Sequence, residues 1–177
     1  MRIFAVSGFS KTGKTTTIAA IIQELTKRGL SVGVIKDSRC PDLALDTEGR
    51  DTFIHKQAGA ELVALRALAE TDIMYGERLG LSQILAHFHQ DVVILEGFAK
   101  YNVPKIVTGI IPFDLKARTT EQTFAYSGVI AGDMDSCYGL PVINSQTEIE
   151  KLCDLILLKV PHSAADDFGA IVTEDAI

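Results

Sequence analysis

Apolar positions recur along the chain with periods that alternate between those of strands and of helices. Ile3 to Ser7 is a short apolar run, and it predicts a buried strand. A polar, glycine-bearing stretch follows, and then the period becomes helical: Ile18, Ile21, Ile22 and Leu25 fall at i, i+3, i+4 and i+7. Lys27 and Arg28 sit in the last turn of this helix, and Gly29 stops it. Leu30 to Ile35 predicts a second strand, apolar enough to be buried on both faces. A strand-helix-strand unit makes its two strands parallel.

Asp37 to Gly49 reads as a loop, punctuated by Pro41 and Gly49. Asp51 to Ala58 predicts a short helix. Glu61 to Ala67 and Thr71 to Tyr75 predict two strands joined tightly, an antiparallel hairpin. Leu79 to His89 predicts a helix with Leu81, Ile84, Leu85 and Phe88 on one face. Asp91 to Leu95 predicts a third core strand, and Lys105 to Ile111 and Phe124 to Ala131 two more. Gln146 to Leu158 predicts a last helix, with Ile149, Leu152, Cys153 and Ile156 inward. The pattern gives an α/β fold: a mostly parallel central sheet with helices on both faces and an added antiparallel hairpin. Residues 1–162 are expected to form one domain, and residues 163–177 a small acidic tail.

Composition narrows the function. The formal net charge of -6 argues against a nucleic-acid binder and against a surface made for anionic lipid. No apolar run approaches a membrane span and no signal peptide precedes the first strand, so a cytoplasmic protein is expected. Cys40, Cys137 and Cys153 are odd in number and far apart, which suits reduced thiols rather than disulfides or a zinc cluster. His87 and His89, two apart, point to different faces if helical; with His55 and His162 distant, no metal set forms in the sequence.

The segment between the first strand and the first helix carries the chemistry. Gly8-Phe9-Ser10-Lys11-Thr12-Gly13-Lys14-Thr15-Thr16 has the spacing of a phosphate-binding loop and lies where such a loop belongs. Gly8 and Gly13 let successive backbone N–H groups turn inward. Lys14 reaches the β and γ phosphates, the Thr15 hydroxyl ligates Mg²⁺, and the helix N-terminus favours the anion. This makes the fold that of a P-loop NTPase. Lys11 either touches phosphate or stays solvated. It is not at the second loop position, where some dimeric P-loop ATPases keep a lysine; Phe9 is there.

An acidic group should face the metal from the carboxyl end of a neighbouring strand. Glu96 ends Val92-Val93-Ile94-Leu95 and is assigned to the metal and to catalysis; the alternative is a carboxylate paired with a lysine. Asp91 begins the same strand, roughly 16 Å away at the rise of a strand. Asp37, after the second strand, either orients water or binds the metal through water, or simply forms a turn. Asp133, beyond Val129-Ile130-Ala131-Gly132, is the candidate for selecting guanine, whose N1–H and amino group are both donors.

Four blocks together resemble the molybdopterin-guanine dinucleotide biosynthesis protein B (MobB) family. They are the loop through Thr16, then Val34-Ile35-Lys36, and then Asp46-Thr47-Glu48-Gly49-Arg50-Asp51-Thr52 with His55-Lys56-Gln57-Ala58-Gly59-Ala60. The last is Asp91-Val92-Val93-Ile94-Leu95-Glu96-Gly97-Phe98 with Pro104-Lys105-Ile106. The third block is the most telling, because generic P-loop proteins lack it. The family usually places histidines after the lysine of the second strand; here Asp37-Ser38-Arg39-Cys40 stand instead. The resemblance implies a GTP-binding accessory protein of molybdenum cofactor maturation that assists a partner guanylyltransferase. It also implies Mg²⁺-dependent, slow GTP hydrolysis and a homodimer. No arginine finger is evident in the loop or beside Glu96, which suits a slow GTPase; Arg39, Arg50 and Arg118 are not placed by the sequence. The main alternative is a small-molecule kinase on the same fold, which would need an arginine-rich lid that is not seen. Weaker alternatives are a metal-delivery GTPase and a binding module without hydrolysis.

Overall fold

The computed structural model describes residues 1–38 and 46–163. Arg39, Cys40, Pro41 and residues 164–177 of the expected tail lie outside the described residues. The chain divides into two compact units, Met1–Asp37 with Leu85–Ile177, and Ser38–Ile84.

In the first unit, β1 (Arg2–Gly8) leads into α1 (Lys14–Lys27), as the change of period predicts. β2 (Val32–Lys36) follows, and the remaining strands of the sheet are β5 (Val92–Glu96), β6 (Lys105–Thr108) and β7 (Thr123–Ser127). All pair in parallel in the order β2-β5-β1-β6-β7. β1 and β2 are parallel but not neighbours, because β5, buried along its whole length, inserts between them. This corrects the reading of β2 as buried on both faces: it is an edge strand, and Val34 is exposed.

Residue alternation along the strands sends two apolar sets to opposite faces. Phe4, Val6, Val92, Ile94, Ile106 and Ala125 pack with Ile18, Ile21 and Leu25 of α1 and with Leu152, Cys153 and Ile156 of α5 (Ile149–Lys159). On the other face, Val107 and Tyr126 pack with Leu115 of α4 (Pro112–Arg118), Ile130 and Val142. Each fully buried aliphatic side chain here contributes about 1.5–3 kcal/mol. Helices therefore cover both faces, and the carboxyl ends of β1, β5, β6 and β7 converge on one rim.

Three sequence readings need correction, two in this unit and one at its boundary with the second. β6 ends at Thr108 rather than Ile111, because Pro112 starts α4 and the Asp114 carboxylate accepts from the backbone N–H of Ile110 and Ile111. The strand expected to run to Ala131 ends at Ser127; Gly128 turns the chain into a 3₁₀ turn, Val129–Gly132. The helix expected over residues 79–89 is only α3 (Leu81–Leu85), closed where Phe88 N–H donates to Leu85 O, so His87 and His89 are not helical. A small ladder joins β8 (Ser136–Cys137) to β9 (Leu140–Pro141).

In the second unit, α2 (Asp51–Gln57) precedes β3 (Leu62–Arg66) and β4 (Thr71–Tyr75). β3 and β4 form the predicted antiparallel hairpin, as a separate two-stranded sheet. Buried Asp46 ties the preceding turn to α2: its carboxylate accepts from Thr52 Oγ1 at 2.8 Å and pairs with Lys56 Nζ at 2.8 Å. Those contacts lower its pKa, the Lys56 hydrogen bond foremost.

Candidate functional site

The loop between β1 and α1 is built by close backbone approach. A Cβ on Gly8 would lie 2.4 Å from the Thr108 carbonyl oxygen, so the chain can leave β1 there only as glycine. Thr12 is buried and anchors the loop internally: its Oγ1 donates to Phe9 O at 2.8 Å and lies 2.7 Å from Thr108 Oγ1. From below, Val129 N–H donates to Thr12 O at 3.2 Å. Gly128, with φ +91, lets that segment come so near; its Cβ would sit 2.2 Å from Thr12 O. Thr108 and Gly128 thus seat the loop, though neither belongs to its motif. The sequence signal for Gly128 is only a glycine at the end of an apolar run.

Gly13 accepts from Thr17 N–H at 2.9 Å and opens α1, so Lys14, Thr15 and Thr16 lie in its first turn. Lys14 Nζ donates to Phe9 O at 2.6 Å and to Gly8 O at 3.2 Å, folded over the loop. Burial lowers the Lys14 pKa, Glu96 opposes that, and the charges of Lys36 and Arg118 add to it. Phe9, Ser10 and Lys11 form the exposed rim of the loop.

Glu96 comes from β5, the neighbour of β1, at the same rim. Thr15 Oγ1 donates to Glu96 Oε1 at 3.3 Å, and Lys36 Nζ lies 3.6 Å from the same oxygen. The two sequence readings of Glu96 meet here, since it faces both the loop threonine and a lysine. Asp37 is adjacent: its N–H donates to Glu96 O at 3.1 Å. Asp91 stands at the other end of β5, where its carboxylate accepts from Ser31 N–H at 2.8 Å and Ser31 Oγ at 2.7 Å. Asp133 follows the 3₁₀ turn, its N–H donating to Ile130 O at 3.0 Å; it lies beyond a turn rather than at a strand end.

Two further side chains reach this region or its supports. The Arg118 guanidinium, at the end of α4, lies over the Phe9 ring, its carbon 4.4 Å from the ring centroid. Lys105, 1% exposed, donates to Ala99 O at 2.9 Å and Tyr101 O at 2.8 Å, holding the segment that follows Glu96; burial lowers its pKa. Among the described residues the cysteines are Cys137 and Cys153, both free thiols, and burial pushes Cys153 up to about 12.

Thr15 Oγ1 and Glu96 Oε1 form a hard-oxygen pair of the kind Mg²⁺ takes when phosphate oxygens and water supply the rest. No group of three or more His, Cys, Asp or Glu side chains could hold a metal among the described residues. Nor is any helix among them long and apolar enough to cross a membrane.

The model of a protein family, "MobB: Molybdopterin guanine dinucleotide synthesis protein B", matches residues 3–122. A relative from Methanocaldococcus jannaschii is 34% identical over 114 residues, 60% of this chain and 47% of that one, so the chain spans about half of its length. A molybdopterin-guanine dinucleotide biosynthesis adapter protein of Haemophilus influenzae is 33% identical over 110 residues, covering 59% of this chain and 61% of that one. The crystal structure of Bacillus subtilis MobB superposes with a TM-score of 0.75 at 26% identity, covering 92% of this chain and 100% of that one.

Proposed function

Because the chain belongs to the MobB family, we propose that it is a GTP-binding adapter of molybdopterin guanine dinucleotide biosynthesis, assisting a partner guanylyltransferase in the cytoplasm. The observation that carries the nucleotide reading is the meeting of Lys14, Thr15 and Glu96 at the carboxyl rim of the sheet. Lys14 leaves its carbonyl partners for the β and γ phosphates, and the backbone N–H groups from Phe9 to Thr16 cradle them. Thr15 and Glu96 hold Mg²⁺, which neutralises charge on the phosphate oxygens when bound. Asp37, beside Glu96, orients the attacking water, and hydrolysis is slow. Asp133 selects guanine. The protein acts as a homodimer. The name of the Haemophilus influenzae relative supports the adapter role.

Thermal unfolding with Mg·GTP tests this. A ligand at a hundred times its Kd stabilises by about 2.7 kcal/mol, a clear rise in Tm. Lys14→Ala should abolish the rise and leave the unliganded Tm nearly unchanged. A folded Lys14→Ala protein with the full rise would refute the loop assignment. Equal affinity for ATP and GTP would remove the guanine reading and favour the kinase alternative.

A further inference from the structure

We propose that Arg118 is a phosphate-binding arginine, delivered in cis from α4 onto the second position of the loop, where it takes the terminal phosphate of a bound nucleoside triphosphate. The inference rests on the nucleotide reading above. The loop's second position is Phe9, which carries no charge, yet a cation stands there: the Arg118 guanidinium lies 4.4 Å from the ring centroid. A guanidinium carries five N–H donors, and lying over one ring face leaves donors for a second partner. No carboxylate pairs with Arg118 among the described residues, and its Nε is buried without a hydrogen-bond partner. A buried donor without a partner is costly, and an anion relieves that cost. Attraction across a ring face is weakly directional, so the fork can slide over Phe9 toward a ligand without leaving it.

The charge pattern of the rim agrees. Arg118 stands close enough to the loop for its charge to be felt at Lys14, and Lys36 is felt there as well, with Glu96 the opposing carboxylate. Three cations, set against Glu96 and the neighbouring Asp37 on a chain of net charge -6, mark a place prepared for an anion. Lys14 and the loop N–H groups suffice for a diphosphate. A planar fork beyond them, above the loop's outer position, adds a bidentate grip suited to one more phosphate.

The test is the affinity of GTP and of GDP, each with Mg²⁺, measured by calorimetry on the full chain. Arg118→Gln should weaken GTP by about tenfold or more, the loss of a charge-assisted pair, and leave GDP within about twofold. Phe9→Leu, which removes the stacking platform, should shift the same ratio less. If Arg118→Gln folds poorly, Arg118→Lys serves, because the ratio of two affinities on one preparation is independent of the folded fraction; loss of the planar fork should lower that ratio too. Equal effects on GTP and GDP, or none, overturn the inference and leave Arg118 as packing for Phe9. Lys14→Ala separates the two levels: it should lose both nucleotides, and its retention of both refutes the loop assignment whatever Arg118 does. An unaltered protein that binds neither nucleotide overturns both.

Discussion

Two carboxylates at opposite ends of β5 show how position decides role. Glu96 ends β5 beside Thr15, whereas Asp91 stands just before β5 and binds Ser31. If Glu96 faces Mg²⁺, Glu96→Gln should cut GTP turnover by about tenfold or more, while Asp91→Asn leaves it unchanged. The reverse order, measured as phosphate release, would reject the metal assignment. Asp91→Asn should act on acid stability instead. The Ser31 side-chain and backbone hydrogen bonds lower the Asp91 pKa below its ordinary 3.8. A carboxylate lowered on folding stabilises above its unfolded pKa, and that contribution is lost as pH falls through the folded value. Denaturation of the unaltered protein should therefore steepen below about pH 4, and the variant should show a shallower loss there. Superimposable acid profiles would mean that the Ser31 contacts contribute nothing on folding.

At the scale of elements, the readable parts were those with a strong period or a rigid motif. β1, the loop and α1 follow from four apolar positions and the glycine spacing, and β5 from four consecutive apolar residues. The hairpin was legible because two apolar runs stand too close for a crossover. The errors fall where local sequence is ambiguous. β2 is as apolar as a buried strand, and only the long-range choice of β5 as its neighbour makes it an edge. α4 leaves no mark in the sequence, because its seven residues carry one fully buried side chain, Leu115, and hence no visible period. With α4 went Arg118, whose place over Phe9 depends on tertiary packing. The apolar run from Phe124 to Ala131 puts Gly128 inside a strand, yet it is the contact that seats the loop. Gly128→Ala tests that role: its Cβ would meet Thr12 O at 2.2 Å and Thr108 Cβ at 2.9 Å, at a φ of +91. The expected cost is about 2–4 kcal/mol, read by urea denaturation, with GTP affinity reduced. Unchanged stability and affinity would show that the loop does not depend on this seat.

At the scale of the molecule, the family motifs are spread over both units: the loop and the Glu96 strand in one, the Asp46–Lys56 block in the other. Sequence alone expected a hairpin whose exposed edge recruits a second copy. The hairpin is present as its own sheet, and its apolar side chains sharpen the argument for the proposed homodimer. Leu62 opposes Tyr75 and Ala64 opposes Ile73, so these four share one face. All four are exposed, Ile73 at 57%. A two-stranded sheet is marginal by itself, and an apolar face gains most by meeting its copy across a two-fold axis. Neither Lys nor Pro guards the segment from Glu61 to Tyr75. Light scattering at micromolar concentration should give twice the chain mass of 19.2 kDa; a clean monomer rules the dimer out. Ile73→Lys places a charge on that face and should shift the protein to monomer. GTP affinity should stay within about threefold, since the substitution lies outside the loop motif. A dimer untouched by Ile73→Lys would move the interface off the hairpin, to the β6 and β7 side of the central sheet, where β7 is the terminal strand of the five.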